Sequence, residues 1–275
     1  MKAALPFLKW AGGKRQIVPA ILERLPDRMN TYYEPFLGGG AVFYALAARG
    51  AFKRAVICDR NRDLIDAYLG VRDEVEKVIA HLSRMRHDSE TYYRIRTRDP
   101  AKLTVIQRSA RIIYLNRTCY NGLYRVNRAG RFNVPFGRYK NPRIVDRENL
   151  RAVSQTLQRA RISSGDFETL VEKAEPGDVV YFDPPYSPVS NTASFTAYDS
   201  LPFGSEEQER LARVIRQLKK RDVYVLLSNS DVPFTRRLYR NFSRDTVQVH
   251  RRINSRADRR GPISELLVRS HARIP

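Results

Sequence analysis

Cysteine is nearly absent from this chain: Cys58 and Cys119 are the only two among 275 residues. Two cannot build a disulfide framework, so a stapled secreted scaffold is excluded and a reducing compartment is expected. Histidine is scarce too. The four, at positions 81, 87, 250 and 271, show no spacing suited to a metal, and no metal site is expected. No apolar run approaches the length of a membrane span, and the N-terminus lacks the apolar core of a signal peptide. Internal repeats and low-complexity tracts are missing as well. Acidic residues are in deficit, with 29 Asp+Glu against 50 Lys+Arg, a formal net charge of +21 at pH 7 and a pI of about 10.3. An excess of that size points to a polyanionic partner. Hydrophobic residues reach 42%, enough for a real core in one large or two small domains.

What is present is best read from Val179-Val180-Tyr181-Phe182-Asp183-Pro184-Pro185-Tyr186. Four apolar residues after the turn signal Pro176-Gly177-Asp178 predict a short buried strand. It stops on an acid, two prolines and an aromatic. The prolines lack N–H groups and have fixed φ, so the chain leaves the sheet rigidly after Asp183. Open α/β sheets bind ligands at that carboxyl edge. A carboxylate and a carbonyl held there can accept both N–H bonds of a nucleobase amino group. That draws the nitrogen towards tetrahedral geometry and localises its lone pair for attack on an electrophile. A strand-ending turn is the plainer alternative, given the turn preferences of Asp and Pro.

The N-terminal stretch contains Lys9-Trp10-Ala11-Gly12-Gly13-Lys14-Arg15. It fails the phosphate-loop pattern, because Leu8 stands where the first glycine belongs and Arg15 where Ser or Thr belongs. A Trp, a glycine pair and a Lys before a helical stretch, Ile17 to Leu25, can still hold a ligand with a carboxylate and a ring; a capped helix with a core Trp is the rival reading. Next, a strand from Thr31 to Glu34 leads into Pro35-Phe36-Leu37-Gly38-Gly39-Gly40 and a helix from Ala41 to Arg49. Strand, glycine turn and helix open a nucleotide-binding βαβ unit. Phe43 replaces the third glycine of the dinucleotide fingerprint, which argues against a pyrophosphate. The strand from Arg54 to Cys58 ends in Asp59, where an acid typically holds ribose hydroxyls.

From Asp63 the pattern turns helical. Leu64, Ala67, Tyr68, Val71, Val75, Val78, Ile79 and Leu82 predict one long amphipathic helix, and residues 102–117 a second. An inserted helical domain is therefore expected over about 60–146, between catalytic segments 1–59 and 147–275. Residues 84–151 hold 17 Lys/Arg against 5 Asp/Glu, more than half of the chain's excess charge. Within them, residues 116–140 interleave Arg and Asn with Tyr and Phe in a loop or hairpin. Arg and Asn can read base edges, other cations meet phosphate, and aromatics stack or wedge. The chain then alternates again: a helix from Leu150, a strand from Arg161 to Ser164 with Asp166 capping the next helix, a helix from Ser205 to Lys220, a strand from Val223 to Ser228 with a turn at Asn229-Ser230-Asp231, and final strands Thr246 to His250 and Ser264 to Arg269. Asp166 could also lie near a ligand's adenine ring. A long loop at 187–203 beside the acid and an arginine-rich loop at 251–260 complete the reading.

Taken together and in order, these motifs resemble the Dam-type DNA adenine-N6 methyltransferases over nearly the whole chain. Lys-Trp-Ala-Gly-Gly-Lys, Glu-Pro-Phe-Leu-Gly-Gly-Gly, the block from Tyr114 to Lys140, Asp-Pro-Pro-Tyr and Phe-Thr-Ala-Tyr carry the likeness. Placement of the recognition segment before Asp-Pro-Pro-Tyr is similar to the family's α arrangement. The resemblance implies an α/β, Rossmann-like S-adenosylmethionine-dependent methyltransferase sheet with an inserted helical DNA-recognition domain, its hairpin at about 118–140. It implies Asp183, Pro184 and Tyr186 as catalytic residues. Trp10, Lys14, Phe36, Gly38, Gly40, Asp59, Asp166 and Asp183 would form the cofactor site. Lys9, Arg117, Tyr120, Asn121, Leu123, Arg125, Pro135 and Tyr139 match residues at the duplex, and Arg96, Asn127 and Arg138 match phosphate contacts. The chain departs from the pattern around Thr118-Cys119 and Tyr124. The implied activity is methylation of adenine N6 in double-stranded DNA, at GATC or a related site, by base flipping. A cytoplasmic bacterial or phage monomer, with a cognate restriction endonuclease as a possible partner, is the implied setting. A cytosine-N4 methyltransferase, a silent DNA-binding protein of this fold and an RNA substrate are the rival readings.

Overall fold

Seven strands form one sheet: β1 (Met29–Glu34), β2 (Phe52–Asp59), β3 (Ala160–Ser164), β4 (Val179–Phe182), β5 (Tyr224–Ser230), β6 (Ser243–His250) and β7 (Pro262–Arg269). The computed structural model describes residues 3–10, 12–186, 203–250 and 262–274, so the two long loops expected at 187–203 and 251–260 lie almost wholly outside it. The strand order is β3-β2-β1-β4-β5-β7-β6. β1 to β5 pair in parallel, and β7 is antiparallel to both of its neighbours. From β1 the chain moves outward to β2 and β3, then crosses back to place β4 on the other side. The order therefore reverses between β1 and β4, and the ends of these two strands flank the crevice where open α/β sheets bind ligands.

Residues of β4 and β5 are buried on both faces, as parallel central strands require. β5 runs two residues beyond its expected end at Ser228. Asn229 and Ser230, expected in a turn, pair instead with Leu266 and Glu265 of β7. Their local turn preference yields to the ladder of a neighbouring strand.

Nine helices accompany the sheet among the described residues: α1 (Val18–Leu22), α2 (Ala41–Ala48), α3 (Arg62–Ser83), α4 (Ser89–Thr97), α5 (Val105–Thr118), α6 (Arg147–Leu157), α7 (Phe167–Val171), α8 (Ser205–Lys220) and α9 (Pro233–Leu238). The expected long helix is present as α3 but breaks at Glu74, with φ −139 and ψ 41. Here Ser154 of α6 and Gln158, the residue that caps its C-terminus, donate to the carbonyl of Arg72 at 3.0 and 2.7 Å. Side chains from another helix claim that carbonyl, an arrangement invisible to periodicity. α4 was not expected as a separate helix; Asp88 caps it by accepting from Thr91 N at 2.7 Å. α1 is shorter than expected.

Alternation along β1 feeds two cores. Tyr32 belongs with Phe52, Leu64, Ile113, Phe132 and Leu157, while its neighbour Tyr33 packs with Phe167, Phe182, Leu211 and Leu227. The helices between β2 and β3 thus share a continuous core with one face of the sheet. Both cysteines are buried and unpaired, and burial pushes their thiols up to about 11 at Cys58 and about 12 at Cys119. Neither is poised as a nucleophile.

Candidate active site and nucleic-acid interface

Asp183 follows the last residue of β4, where Pro184 and Pro185 carry the chain off the sheet. Its Oδ1 faces Lys14 Nζ at 2.9 Å and accepts from Ser228 Oγ at 2.9 Å. Ser228 in turn meets the Tyr181 hydroxyl at 2.9 Å, so a buried relay anchors that oxygen. Both contacts from described residues end on Oδ1, and the side chain remains 18% exposed. Burial raises the Asp183 carboxyl above its ordinary range, against the charge and hydrogen bonds of Lys14 and Ser228.

Lys14 is only 6% exposed and lies at the centre of the cluster. Its ammonium donates to Gly12 O at 3.3 Å and Tyr186 Oη at 2.6 Å, and pairs with Asp183. The same nitrogen lies 4.5 Å from the centre of the Tyr186 ring. Two further acids converge here. Glu34 ends β1, 2% exposed, and accepts from the Tyr32 hydroxyl at 2.8 Å. Glu265 on β7 stands 3.7 Å from Lys14. Burial raises both carboxyls, and the Asp183 charge adds to each shift. An acidic hollow thus sits inside a strongly basic protein.

The turn between β1 and α2 forms the other wall. Gly38 and Gly40 adopt φ values of 50 and 69. A side chain at Gly38 would come 3.0 Å from the Trp10 ring, and one at Gly40 would meet the Tyr68 hydroxyl at 2.9 Å. Only glycine permits both the left-handed backbone and this close approach. Asp59, the last residue of β2, accepts from Gly38 N and Asn61 N, each at 2.9 Å. The N-terminal motif, the glycine turn and the Asp-Pro-Pro-Tyr motif therefore meet, although 172 residues separate Lys14 from Tyr186.

Phe36 is half-buried and packs against Phe167 and Phe203, each 5.5 Å away between ring centres. Asp166 stands at the same edge, but its carboxylate is occupied. It caps α7 through Glu168 N at 3.0 Å and is bound by Arg210, with Arg60 at 3.8 Å. N-capping, the plainer expectation, is what the geometry shows.

Residues 118–140 contain no regular strand but are drawn together by two isolated bridges. Val126 bridges Phe132 and Cys119 bridges Phe136, both antiparallel. Phe132 and Val134 turn into the core, and the Tyr124 ring lies 5.2 Å from Trp10. These contacts set the segment beside the acidic hollow. Its outer side exposes Tyr120, Asn121, Arg125, Asn127, Pro135 and Arg138, with Leu123 half-buried. Arg125 is braced by Asn133, through Oδ1 at 2.7 Å and the carbonyl at 3.3 Å. Lys9 lies 4.3 Å above the Tyr139 ring. Two of the expected duplex cations instead tie the scaffold together. Arg117 donates to Phe7 O at 2.8 Å, and Arg96 to Val134 O at 3.1 Å. Thr118, Cys119 and Tyr124 all face inward.

A family model, D12 class N6 adenine-specific DNA methyltransferase, matches residues 10–253, which span every element of this site except Lys9 and Glu265. The chain belongs to this family. It is 43% identical over 274 residues to the type II methyltransferase M1.LlaDCHI of Lactococcus lactis subsp. cremoris, covering 97% of this chain and 95% of that one. Identity to the type II methyltransferase M.MjaIII of Methanocaldococcus jannaschii is also 43%, over 97% and 99% of the two chains. With the DNA adenine methylase of Escherichia coli it is 36%, over 98% and 96%. As a member of the D12 class, the protein is an adenine-specific DNA methyltransferase and acts on DNA. Among the described residues, no helix is long and apolar enough to cross a membrane, and no cluster could hold a metal.

Three residues of the methyltransferase site escaped the sequence reading. Its motifs give Glu34 as a strand end and the first residue of Glu-Pro-Phe-Leu, Ser228 as the end of a strand and Glu265 as a residue of the strand from Ser264 to Arg269, with no role for any of them. A lone acid inside Ile263-Ser264-Glu265-Leu266-Leu267 was the available signal, since a buried carboxyl without a purpose is costly. Two clefts of about 200 and 250 Å³ open elsewhere, at the amino edge of the sheet by Arg28, Tyr224 and His271 and by Arg49 and Ala51. Neither touches the methyltransferase residues.

Proposed function

We propose that the enzyme transfers the methyl group of S-adenosylmethionine to N6 of an adenine flipped out of duplex DNA. The observation that carries this reading is Asp183, with one oxygen anchored by Lys14 and Ser228 and the side chain 18% exposed at the switch point of the sheet. S-adenosylmethionine supplies a methyl group on a cationic sulfonium. The residues fit such a cofactor. Carboxyls of Glu34, Asp59, Asp183 and Glu265 favour a cation, and the left-handed glycine turn permits close approach beneath Trp10. In this reading Asp183 Oδ2 and the carbonyl of Pro184 accept the amino protons, and Tyr186 stacks on the base. Phe36 lines the cofactor's adenine site, and Asp59 holds its ribose by way of the turn.

The two domains divide the work. Residues 1–59 and 147–275 hold the chemistry; residues 60–146 recognise the target, with a GATC-like site as the working expectation. Lys9, Tyr120, Asn121, Leu123, Arg125, Pro135 and Tyr139 face the bases, while Asn127 and Arg138 meet phosphate. Arg96 and Arg117 would act there only after leaving their carbonyl partners. The net charge of +21 collects the duplex, which an acidic hollow alone would repel. We place the enzyme in the cytoplasm as a monomer, with a cognate restriction endonuclease as its proposed partner.

Incubation with methyl-labelled cofactor and duplex DNA, followed by nucleoside analysis, tests the reaction. Label is expected in N6-methyl-2′-deoxyadenosine; label in N4-methyl-2′-deoxycytidine, or preference for duplex RNA, would reject the reading. Arg125→Ala is expected to relax discrimination at one base position by about 1–3 kcal/mol, the worth of a bidentate contact. Turnover on a panel of single-substituted duplexes reads this out. An unchanged order of preference would remove Arg125 from recognition.

A further inference from the structure

We propose that Glu265 is a positioning residue for methyl transfer: its carboxylate, facing Lys14 from β7, compensates the ammonium so that Asp183 keeps its strength as an acceptor. The inference rests on the proposed role of Asp183. It starts from a count of donors. An ammonium has three N–H bonds. Those of Lys14 are directed at Gly12 O, Tyr186 Oη and Asp183 Oδ1. None remains for Glu265: among the described residues its buried Oε2 has no hydrogen-bond partner and stands 3.7 Å from Lys14 Nζ, while the Tyr186 hydroxyl hydrogen-bonds the same carboxyl group. A buried carboxyl oxygen with no donor is costly in a fold, and such groups call for a functional account.

Charge supplies that account. Lys14 with Asp183 alone is a neutral pair, and a carboxylate so compensated is a weaker acceptor. Glu265 gives the cluster of Lys14, Asp183 and Glu265 a net negative charge when both acids are ionised. During transfer the C–S bond breaks as the C–N bond forms, and positive charge moves from sulfur to N6 before the amino proton leaves for solvent. A fixed negative charge in a water-poor site favours that displacement of charge towards Asp183. The register supports the placement. Glu265 pairs with Ser230, two residues from the Ser228 that anchors Asp183. Among the described strands β7 alone runs against the others, and it brings an acid back to the carboxyl edge. The groups facing Glu265 are Lys14 from the N-terminal segment, Asp183 and Tyr186 after β4, and Tyr181 within it.

Glu265→Gln keeps the shape and removes the charge. Its kcat is expected to fall about 10- to 100-fold, less than the roughly 10²- to 10³-fold lost when a partner that touches the developing charge is removed. Binding of S-adenosylhomocysteine, followed by fluorescence of the single tryptophan Trp10, and of the duplex, followed by anisotropy, should change less than about threefold. The acid limb of the kcat–pH profile should move to lower pH, because Asp183 loses a neighbouring negative charge. Glu265→Asp, which retains the charge, should recover most of kcat. A Gln variant with wild-type kcat and an unmoved acid limb would overturn the proposal. So would an Asp variant as slow as Gln, or failure of both variants to fold, which would assign Glu265 to stability alone. Asp183→Ala is run alongside. If it retains turnover, the proposed function fails; if it is inactive while Glu265→Gln is unaffected, only the present inference fails.

Discussion

Asp183→Ala should lower kcat by at least about 10²-fold, the loss seen when one preorganised partner of a transition state is removed. The substitution takes away the acceptor proposed for the amino group and leaves Ser228 and Lys14 without their shared partner. S-adenosylhomocysteine, which lacks the sulfonium charge, and duplex should still bind, since the glycine turn, Trp10 and the outer side of residues 118–140 do not depend on this carboxylate. Single-turnover assays with labelled cofactor measure the chemical step directly. Turnover within threefold of wild type would exclude Asp183 from catalysis. In the intact enzyme, burial holds the carboxyl above its ordinary range. Because only the ionised form accepts both a protein and a ligand proton, kcat should fall on acidification at a pH above that of an exposed Asp, about 3.9.

Lys14→Met is expected to damage stability as well as activity. Lys14 is the cation set between Asp183 and Glu265. Removing one partner of a buried ionic cluster costs about 3–5 kcal/mol, because the remaining charges are left uncompensated. The sign of the pH dependence follows. Both carboxyls already lie above their unfolded range, and without Lys14 they rise further. Their protonated forms are the ones the folded state tolerates, so the deficit relative to wild type should be largest at neutral pH and shrink on acidification. Chemical denaturation at pH 7 and at pH 5 tests this. A deficit that stays constant, or grows at the lower pH, would mean that Lys14 does not compensate these acids.

How far the chain could be read depended on how local the determinant was. The strand into Asp-Pro-Pro-Tyr, the glycine turn, Asp59 at the end of β2 and the segment at 118–140 are written in short runs whose period, prolines or glycines act within a few residues. β5 shows the limit: Asn229-Ser230-Asp231 spells a turn locally, yet β7 holds its first two residues in the ladder. The break in α3 at Glu74 has the same origin, since the side chains that take the Arg72 carbonyl come from α6 and its C-terminal cap. Arg96 and Arg117 carry the charge expected of duplex contacts, but which way a guanidinium turns depends on which carbonyls the fold brings within reach.

Amino-acid order sufficed for the class of chemistry, the alternation of strands and helices, the location of the basic excess and the motifs that converge at the carboxyl edge of the sheet. Those properties follow from composition, periodicity and backbone constraints acting over a few neighbours. Convergence of Lys14, Asp183, Tyr186 and Glu265 did not follow, because they arrive from segments up to 251 positions apart, from Lys14 to Glu265. Strand order and the reversed direction of β7 bring them together. Burial then fixes their charge states, and no run of neighbouring residues can specify the dielectric surroundings that a distant strand creates.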